Sequence, residues 1–310
     1  MNVNKIINQK CAPSKKFTDN SCLTHESLKK IAREYNKKNK LNLYIDEDLP
    51  KKELVHELEK KLSDVCSNHV CWLRHKILQN LNDPDIIENT FRPKGPSRKY
   101  EWLSNFDIEN VVNQYTSLYN DFIFLGALPY DFEDINIFGI SKLNFEELEQ
   151  QNKHKIGMVI NLDEHYKGGS HWVSLYVDLE KYQIYFFDSV GKKPYKRIRK
   201  FINKILKYLY YKKYNQQLYV KDILHSINRY KENKNIEYVY DNEYIYNILK
   251  NFDIKYNNIQ HQFKNSECGV YSINFITRLL DGETFENIIN NPTSDDKMNE
   301  FRKLYFYNVN

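Results

Sequence analysis

No stretch of the chain reaches the ~18 consecutive apolar residues that a membrane-crossing helix needs. Its polar start, MNVNKIINQK, lacks the charged-then-apolar pattern of a secretory leader. The sequence therefore reads as a soluble protein that is not secreted. Cysteine is sparse and odd in number: Cys11, Cys22, Cys66, Cys71 and Cys268. That count argues against a disulfide framework and for a reducing compartment. A structural metal centre needs four converging ligands. Cys66 and Cys71 with His69 and His75 offer one cluster inside a helix-like run, CWLRHKIL, and read as packed or free thiols. No metal and no cofactor are expected. Glycine is scarce as well, at 9 of 310 residues.

What is present is enough apolar material for a core, 41% of residues, with 25 tyrosines and 17 phenylalanines among them. The abundance of Asn, Lys, Ile and Tyr is the bias an AT-rich genome produces. Net charge is +5 but uneven: residues 1–100 carry 20 Lys and Arg against 13 Asp and Glu, and the remainder is slightly acidic. The basic excess points to an acidic partner for the first third.

Residues 25–39 place Leu28, Ile31, Ala32 and Tyr35 at helical spacing, LNLYI follows as an extended run, and Leu54, Leu58 and Leu62 repeat behind Pro50. This helix–extended–helix unit resembles a small SAP-type module, a kind that often binds nucleic acid. Weak nucleic-acid or core-shell contact through residues 25–65 is one reading; a solvated helical pair or a protein-docking module is the other. RPKGPSR (92–98) is turn-rich and marks a linker, dividing an accessory helical domain, 1–98, from a larger domain, 99–310. In the latter, Ser104, Asn105 and Asp107 are N-cap types for a helix carrying Ile108, Val111, Val112 and Tyr115. DFIFLGALPYDF and KIGMVINLDE read as strands, HWVSLYVDL and YQIYFFDSV as a hairpin. Residues 195–213 read as a basic amphipathic helix, Leu218–Ile227 as a helix, and DIKYNNIQHQ as a strand. A last helix starts at Cys268. The fold class is α+β, a small sheet flanked by helices.

Polar groups cap the apolar hairpin. His171 opens one strand and Asp188 closes its partner, so both fall at one end of the sheet. Cys268 stands at a helix start, followed by Gly269, which would let a substrate backbone approach. A thiol attacks as the thiolate, which a helix N-terminus and a neighbouring imidazolium both favour. The imidazole in turn needs a carboxylate or amide to orient it. Gln262, six residues before Cys268, can add a side-chain amide to the Cys268 N–H as oxyanion donors. His165 and His261 adjoin these motifs without matching the base position.

His171-Trp172, Asp188, Gln262 and Cys268-Gly269, in that order, resemble the ubiquitin-like-protein-processing cysteine proteases, the Ulp1 and adenain-like clan. EWLSNFDIENVVNQY is similar to the clan's entrance segment. RPKGP, NLDEHYKGGSHW, HQFKNSECGVYS and DKMNEFRKLYFY resemble more narrowly the polyprotein-processing branch in African swine fever virus and other large DNA viruses. The resemblance implies a cysteine endopeptidase cleaving after Gly-Gly in viral structural polyproteins, working in the cytoplasm of the infected cell and inside the virion. It implies catalytic roles for His171, Asp188 and Cys268, an oxyanion role for Gln262, and substrate-cleft positions for Trp172 and Asn161. The viral branch carries Asn where Asp188 stands; either orients the base. An isopeptidase acting on host ubiquitin-like conjugates would use the same chemistry. A non-catalytic scaffold would lack one of these residues, and none is missing.

Overall fold

The computed structural model describes residues 10–39, 44–76, 80–81, 83–219, 222–232 and 242–308. Two compact units emerge. Met1–Lys99, Asn113–Leu118 and Glu300–Asn310 make up the first; Tyr100–Val112 and Tyr119–Asn299 make up the second.

The first unit is helical. Helices α1 (His25–Lys38), α2 (Lys51–Leu62), α3 (His69–Arg74) and α4 (Pro84–Asn89) pack Leu28, Ile31, Leu54, Leu58, Trp72 and Ile86 into one apolar core. Three of the four have a side-chain cap on an otherwise unpaired N–H: Thr24 accepts from Ser27, Asn68 from Cys71, and Asp83 from Ile86. The cysteine reading is overturned here. Cys11 bonds to Cys22 and Cys66 to Cys71, at Cα separations of 5.2 and 5.5 Å. Residue count carries no information on which side chains the fold brings within bonding distance, so the argument for a reducing compartment falls with it. Some of this unit's basic residues pair within it: Lys30 with Asp83, Arg33 with Glu47, and Lys37 with Glu34. Residues 41–43 of the expected extended run lie outside the described residues, and Tyr44–Ile45 form no strand. The tail closes this unit, with the Phe306 ring lying on Gly95, where any Cβ would collide with it.

The second unit contains α5 (Asn105–Thr116, whose C-terminal turn counts with the first), β1 (Phe122–Leu128), α6 (Phe145–Gln150), β2 (Lys155–Asn161), β3 (Trp172–Asp178), β4 (Gln183–Phe187), α7 (Lys196–Tyr214), α8 (Ile223–Glu232), α9 (Asn242–Asn251), β5 (Asp253–Tyr256), α10 (Cys268–Leu280), α11 (Phe285–Asn290) and the start of α12 (Asp295–Tyr305). The five strands lie in sequence order. The outer pairs, β1–β2 and β4–β5, are parallel and the inner pairs antiparallel.

Both faces of this sheet are covered, which is why β2, β3 and β4 read as continuous apolar runs rather than alternating ones. Met158, Ile160, Leu175 and Phe186 join Phe201, Ile202 and Ile205 of α7 in one cluster. Phe187 stacks instead on Phe275 of α10, ring centroids 4.8 Å apart. Nearly all of α10 is buried, as expected of a helix apolar around most of its circumference. Two boundaries differ from the sequence reading. The helix expected from Leu218 begins at Ile223. The strand expected over 253–262 ends at Tyr256, because the next residues turn away to bond with the end of β4. Residues 220–221 and 233–241 lie outside the described residues.

Candidate active site

The β3–β4 register pairs Ser174 with Phe187, which brings the start of β3 beside the end of β4. His171 and Asp188 sit one residue beyond those ends. The His171 Nε2 lies 2.7 Å from Asp188 Oδ1. The Cys268 thiol, on the first residue of α10, lies within hydrogen-bonding reach of the same imidazole. Cys268 is the one unbridged cysteine and is 4% exposed. Burial alone would favour neutral His171. The hydrogen bonds with Asp188 and Cys268 outweigh it, and the imidazole pKa is pushed up to about 9. A Cys–His–Asp line is thus assembled from one helix start and two strand ends.

Asp188 is fully buried. Its Oδ1 also accepts from the Val190 N–H, while Oδ2 has no hydrogen-bond partner among the described residues. Its backbone is clamped by Asn257, which accepts from the Asp188 N–H at 2.9 Å and donates Nδ2 to the Asp188 carbonyl at 2.6 Å. Sequence reasoning missed Asn257. It lies 69 residues from Asp188, and no motif links the two.

Gln262 is held from both ends. Its backbone N–H and that of His261 donate to the Ser189 carbonyl, its Oε1 accepts the Ser189 hydroxyl at 2.6 Å, and its Nε2 donates to the Lys264 carbonyl at 2.7 Å. One of the two amide hydrogens is therefore spent on the loop and the other remains. Asp295 fixes the next turn by accepting from the Phe263 and Lys264 N–H groups. The segment from Asn257 to Cys268 is thereby tied to β4 and to α12. His261 is buried and its Nε2 faces the Ile289 carbonyl; burial lowers its pKa.

Gly269 plays a different part from the one expected. A Cβ there would lie 3.0 Å from the Leu103 Cβ, so the missing side chain admits Leu103 rather than a substrate. Leu103 in turn accepts the Trp172 indole N–H at 3.0 Å. At that point opens a cleft of about 490 Å³ lined by Trp102, Leu103, Phe138, Asn161, His165 and Trp172 among others. It starts one residue from the imidazole, at Trp172, and next to the start of α10, at Leu103. Trp102 was missed in the sequence as a cleft residue. Asn161 pairs with Trp172 across β2–β3, and its Oδ1 accepts from the Asp163 and Ser170 N–H groups, closing the neck of the loop that forms one wall. His165 lies on that loop, its Nδ1 2.5 Å from Asp131 Oδ2. Among the described residues no cluster of His, Cys, Asp and Glu could hold a metal ion, and no helix is long and apolar enough to cross a membrane.

This fold, with a free thiol at a helix start facing a carboxylate-bound imidazole, defines the class as thiol hydrolases. Residues 146–309 match the model of the Ulp1 protease family, C-terminal catalytic domain. A thiol protease of Acanthamoeba polyphaga mimivirus is 31% identical over 317 residues, spanning 96% of this chain and 93% of that protein. A cysteine protease of African swine fever virus is 23% identical over 275 residues, spanning 82% and 88%. The crystal structure of the African swine fever virus protease superposes with a TM-score of 0.61 at 21% identity, covering 96% of each chain. The chain belongs to the Ulp1 family of cysteine proteases.

Proposed function

We propose that this protein is a cysteine endopeptidase that cuts after Gly-Gly in viral structural polyproteins during virion maturation. The observation that carries the reading is the Cys268–His171–Asp188 line, with a cleft lined by Trp102 and Trp172 that opens one residue from His171. Cys268 Sγ attacks the carbonyl carbon of the second glycine while the imidazolium of His171 protonates the departing amine, leaving a thioester. His171, now neutral, takes a proton from water, which attacks the thioester and restores the thiol pair. Asp188 holds the ring by Nε2, which leaves Nδ1 for the sulfur. The oxyanion meets the Cys268 N–H and the remaining Gln262 amide hydrogen.

The first of these donors follows from how α10 begins. Glu267, its N-cap, makes no side-chain cap bond. Its carboxylate is turned to the Ser266 hydroxyl and the Asn299 amide. No capping oxygen competes for the helix-start N–H groups, which point where negative charge develops. Trp102 and Trp172 narrow the cleft next to the thiol and favour residues without side chains. Two viral relatives of matching length support the polyprotein reading.

African swine fever virus relatives named SUMO-1 cysteine proteases raise the second reading, an isopeptidase on ubiquitin-like conjugates. Cleavage of a Gly-Gly-X peptide is compared with that of a folded ubiquitin-like conjugate at equal concentration. Comparable or better turnover of the peptide supports the endopeptidase; a conjugate cut at least a hundredfold better would replace it with the isopeptidase.

A further inference from the structure

Beyond the tryptophan pair, the cleft wall is built to accept hydrogen bonds. Asp131 receives the His165 backbone N–H at 2.9 Å and the ring Nδ1 at 2.5 Å, so the imidazole is fixed on the wall with Nε2 unengaged. A carboxylate on Nδ1 leaves Nε2 as the ring nitrogen that can meet a peptide. Asp163 and Glu109 line the same cleft. The Asp163 backbone is fixed, its N–H donating to Asn161 and its carbonyl accepting from Tyr130, while its carboxylate makes no ion pair among the described residues. Glu109 accepts the Ala127 N–H at 3.3 Å, its one hydrogen bond among the described residues. Lys167, the one lysine or arginine lining the cleft, is engaged by Glu164 at 3.3 Å. The cleft lining therefore carries Glu109, Asp163 and Glu164 against one cation, Lys167, and it begins at Trp172, one residue from His171.

We propose that this wall reads a basic side chain, lysine or arginine, in the two residues just ahead of the Gly-Gly pair. His165 and Asp163 act as specificity-determining residues and Asp131 as a positioning residue. The inference rests on the Gly-Gly reading for its register: two glycines occupy the narrow stretch between Trp102 and Trp172, and what precedes them meets the wall. In an extended peptide alternate side chains point to opposite sides, so one of the two positions faces Asp163 and His165. A cationic side chain there gains Coulomb attraction and a hydrogen bond to acceptors already in place; an acidic one meets like charge.

The test uses the full-length enzyme and four peptides. Lys or Glu stands at both positions ahead of the pair, and the pair itself is Gly-Gly or Ala-Ala. The Lys peptide should be cut with at least tenfold higher kcat/KM than the Glu peptide at low salt, the difference lying in KM and shrinking as salt rises. His165→Ala and Asp163→Asn should each reduce that ratio at least threefold, through a raised KM for the Lys peptide with its kcat held. Affinities of the same peptides for Cys268→Ala, measured by calorimetry, repeat the comparison without turnover. Equal values for the Lys and Glu peptides, or a preference unchanged in both variants, overturns the proposal. Loss of the Gly-Gly over Ala-Ala preference with the Lys–Glu ratio intact overturns the Gly-Gly reading instead and leaves the acceptor wall standing.

Discussion

The two units are held together by different means. The first is small and made of short helices, with side-chain caps on three of four starts and two covalent bridges. The second carries a sheet covered on both faces, and its longest helices, α7 and α10, begin without a side-chain cap bond. Small cores bury too little surface to stand without staples. A large one fixes its helices by burial and can leave a helix start unsatisfied. The candidate site lies at such a start: Cys268 is the first residue of α10, which has no side-chain cap bond. Local bonds hold the first unit, and long-range packing holds the second and its chemistry.

The largest effect should come from breaking the chemistry while sparing the core. Cys268→Ala and His171→Ala should each reduce Gly-Gly-X cleavage by about 10⁴-fold or more, with melting temperatures within a few degrees of wild type. Substantial turnover in either folded variant would remove the assignment. The same thiol gives a direct count: without reductant, iodoacetamide should add one group, at Cys268, and four more only after reduction, read by mass spectrometry.

Gln262 joins both roles. Gln262→Ala should lower kcat by roughly 10–10³-fold with KM nearly unchanged. It should also cost about 1 kcal/mol of stability through the lost Ser189 and Lys264 bonds. Gln262→Glu should be slower still, since a carboxylate would face the oxyanion. If Gln262→Glu matches Gln262→Ala in rate and both merely melt early, Gln262 is a loop anchor alone.

Reduction sharpens the contrast between the units. Opening the two bridges should remove roughly 2–4 kcal/mol each from the first unit. Amide exchange should therefore accelerate in α1–α4 under reductant while β2, β3 and α10 stay protected. Uniform acceleration across both units would mean that the bridges stabilise the whole chain rather than one part.

Asp188→Asn should be the mildest, a loss of about tenfold or 1–2 kcal/mol, because an amide oxygen can still accept the His171 Nε2 proton. The pH profile separates orientation from charge. The folded pKa of His171 lies above its ordinary value, so its protonated form stabilises the folded state fully below about 6.5. That contribution falls away as pH rises through about 9. Activity that needs the imidazolium should decline over the same alkaline range, and Asp188→Asn should move that decline to lower pH. An unmoved alkaline limb would mean that the Asp188 charge does not sustain the imidazolium.

The site could be read from sequence to the extent that its parts lie at the ends of regular elements. Continuous apolar runs marked β3 and β4, so His171 and Asp188 stood out as polar caps. A helical stripe from Val270 to Leu280 marked the start of α10 at Cys268. Gly269 was misread because a glycine after a nucleophile looks the same whether substrate or Leu103 fills the space. Asn257 and Asp295 were invisible: each acts on backbone groups 31 to 69 residues away, and an isolated Asn or Asp has no periodicity.

By itself, the sequence determined the periodic features: which segments are helix or strand, which faces are apolar, and which ionisable residues end them. These depend on neighbours within a few positions. Tertiary structure alone decided the pairings. Cys11 with Cys22 and Cys66 with Cys71, Asn257 on Asp188, Trp172 on Leu103 and His165 on Asp131 all depend on where separate segments come to rest. A hydrogen bond or a disulfide needs its atoms within a few tenths of an ångström. Composition and spacing specify no distance of that kind; only the packed chain does.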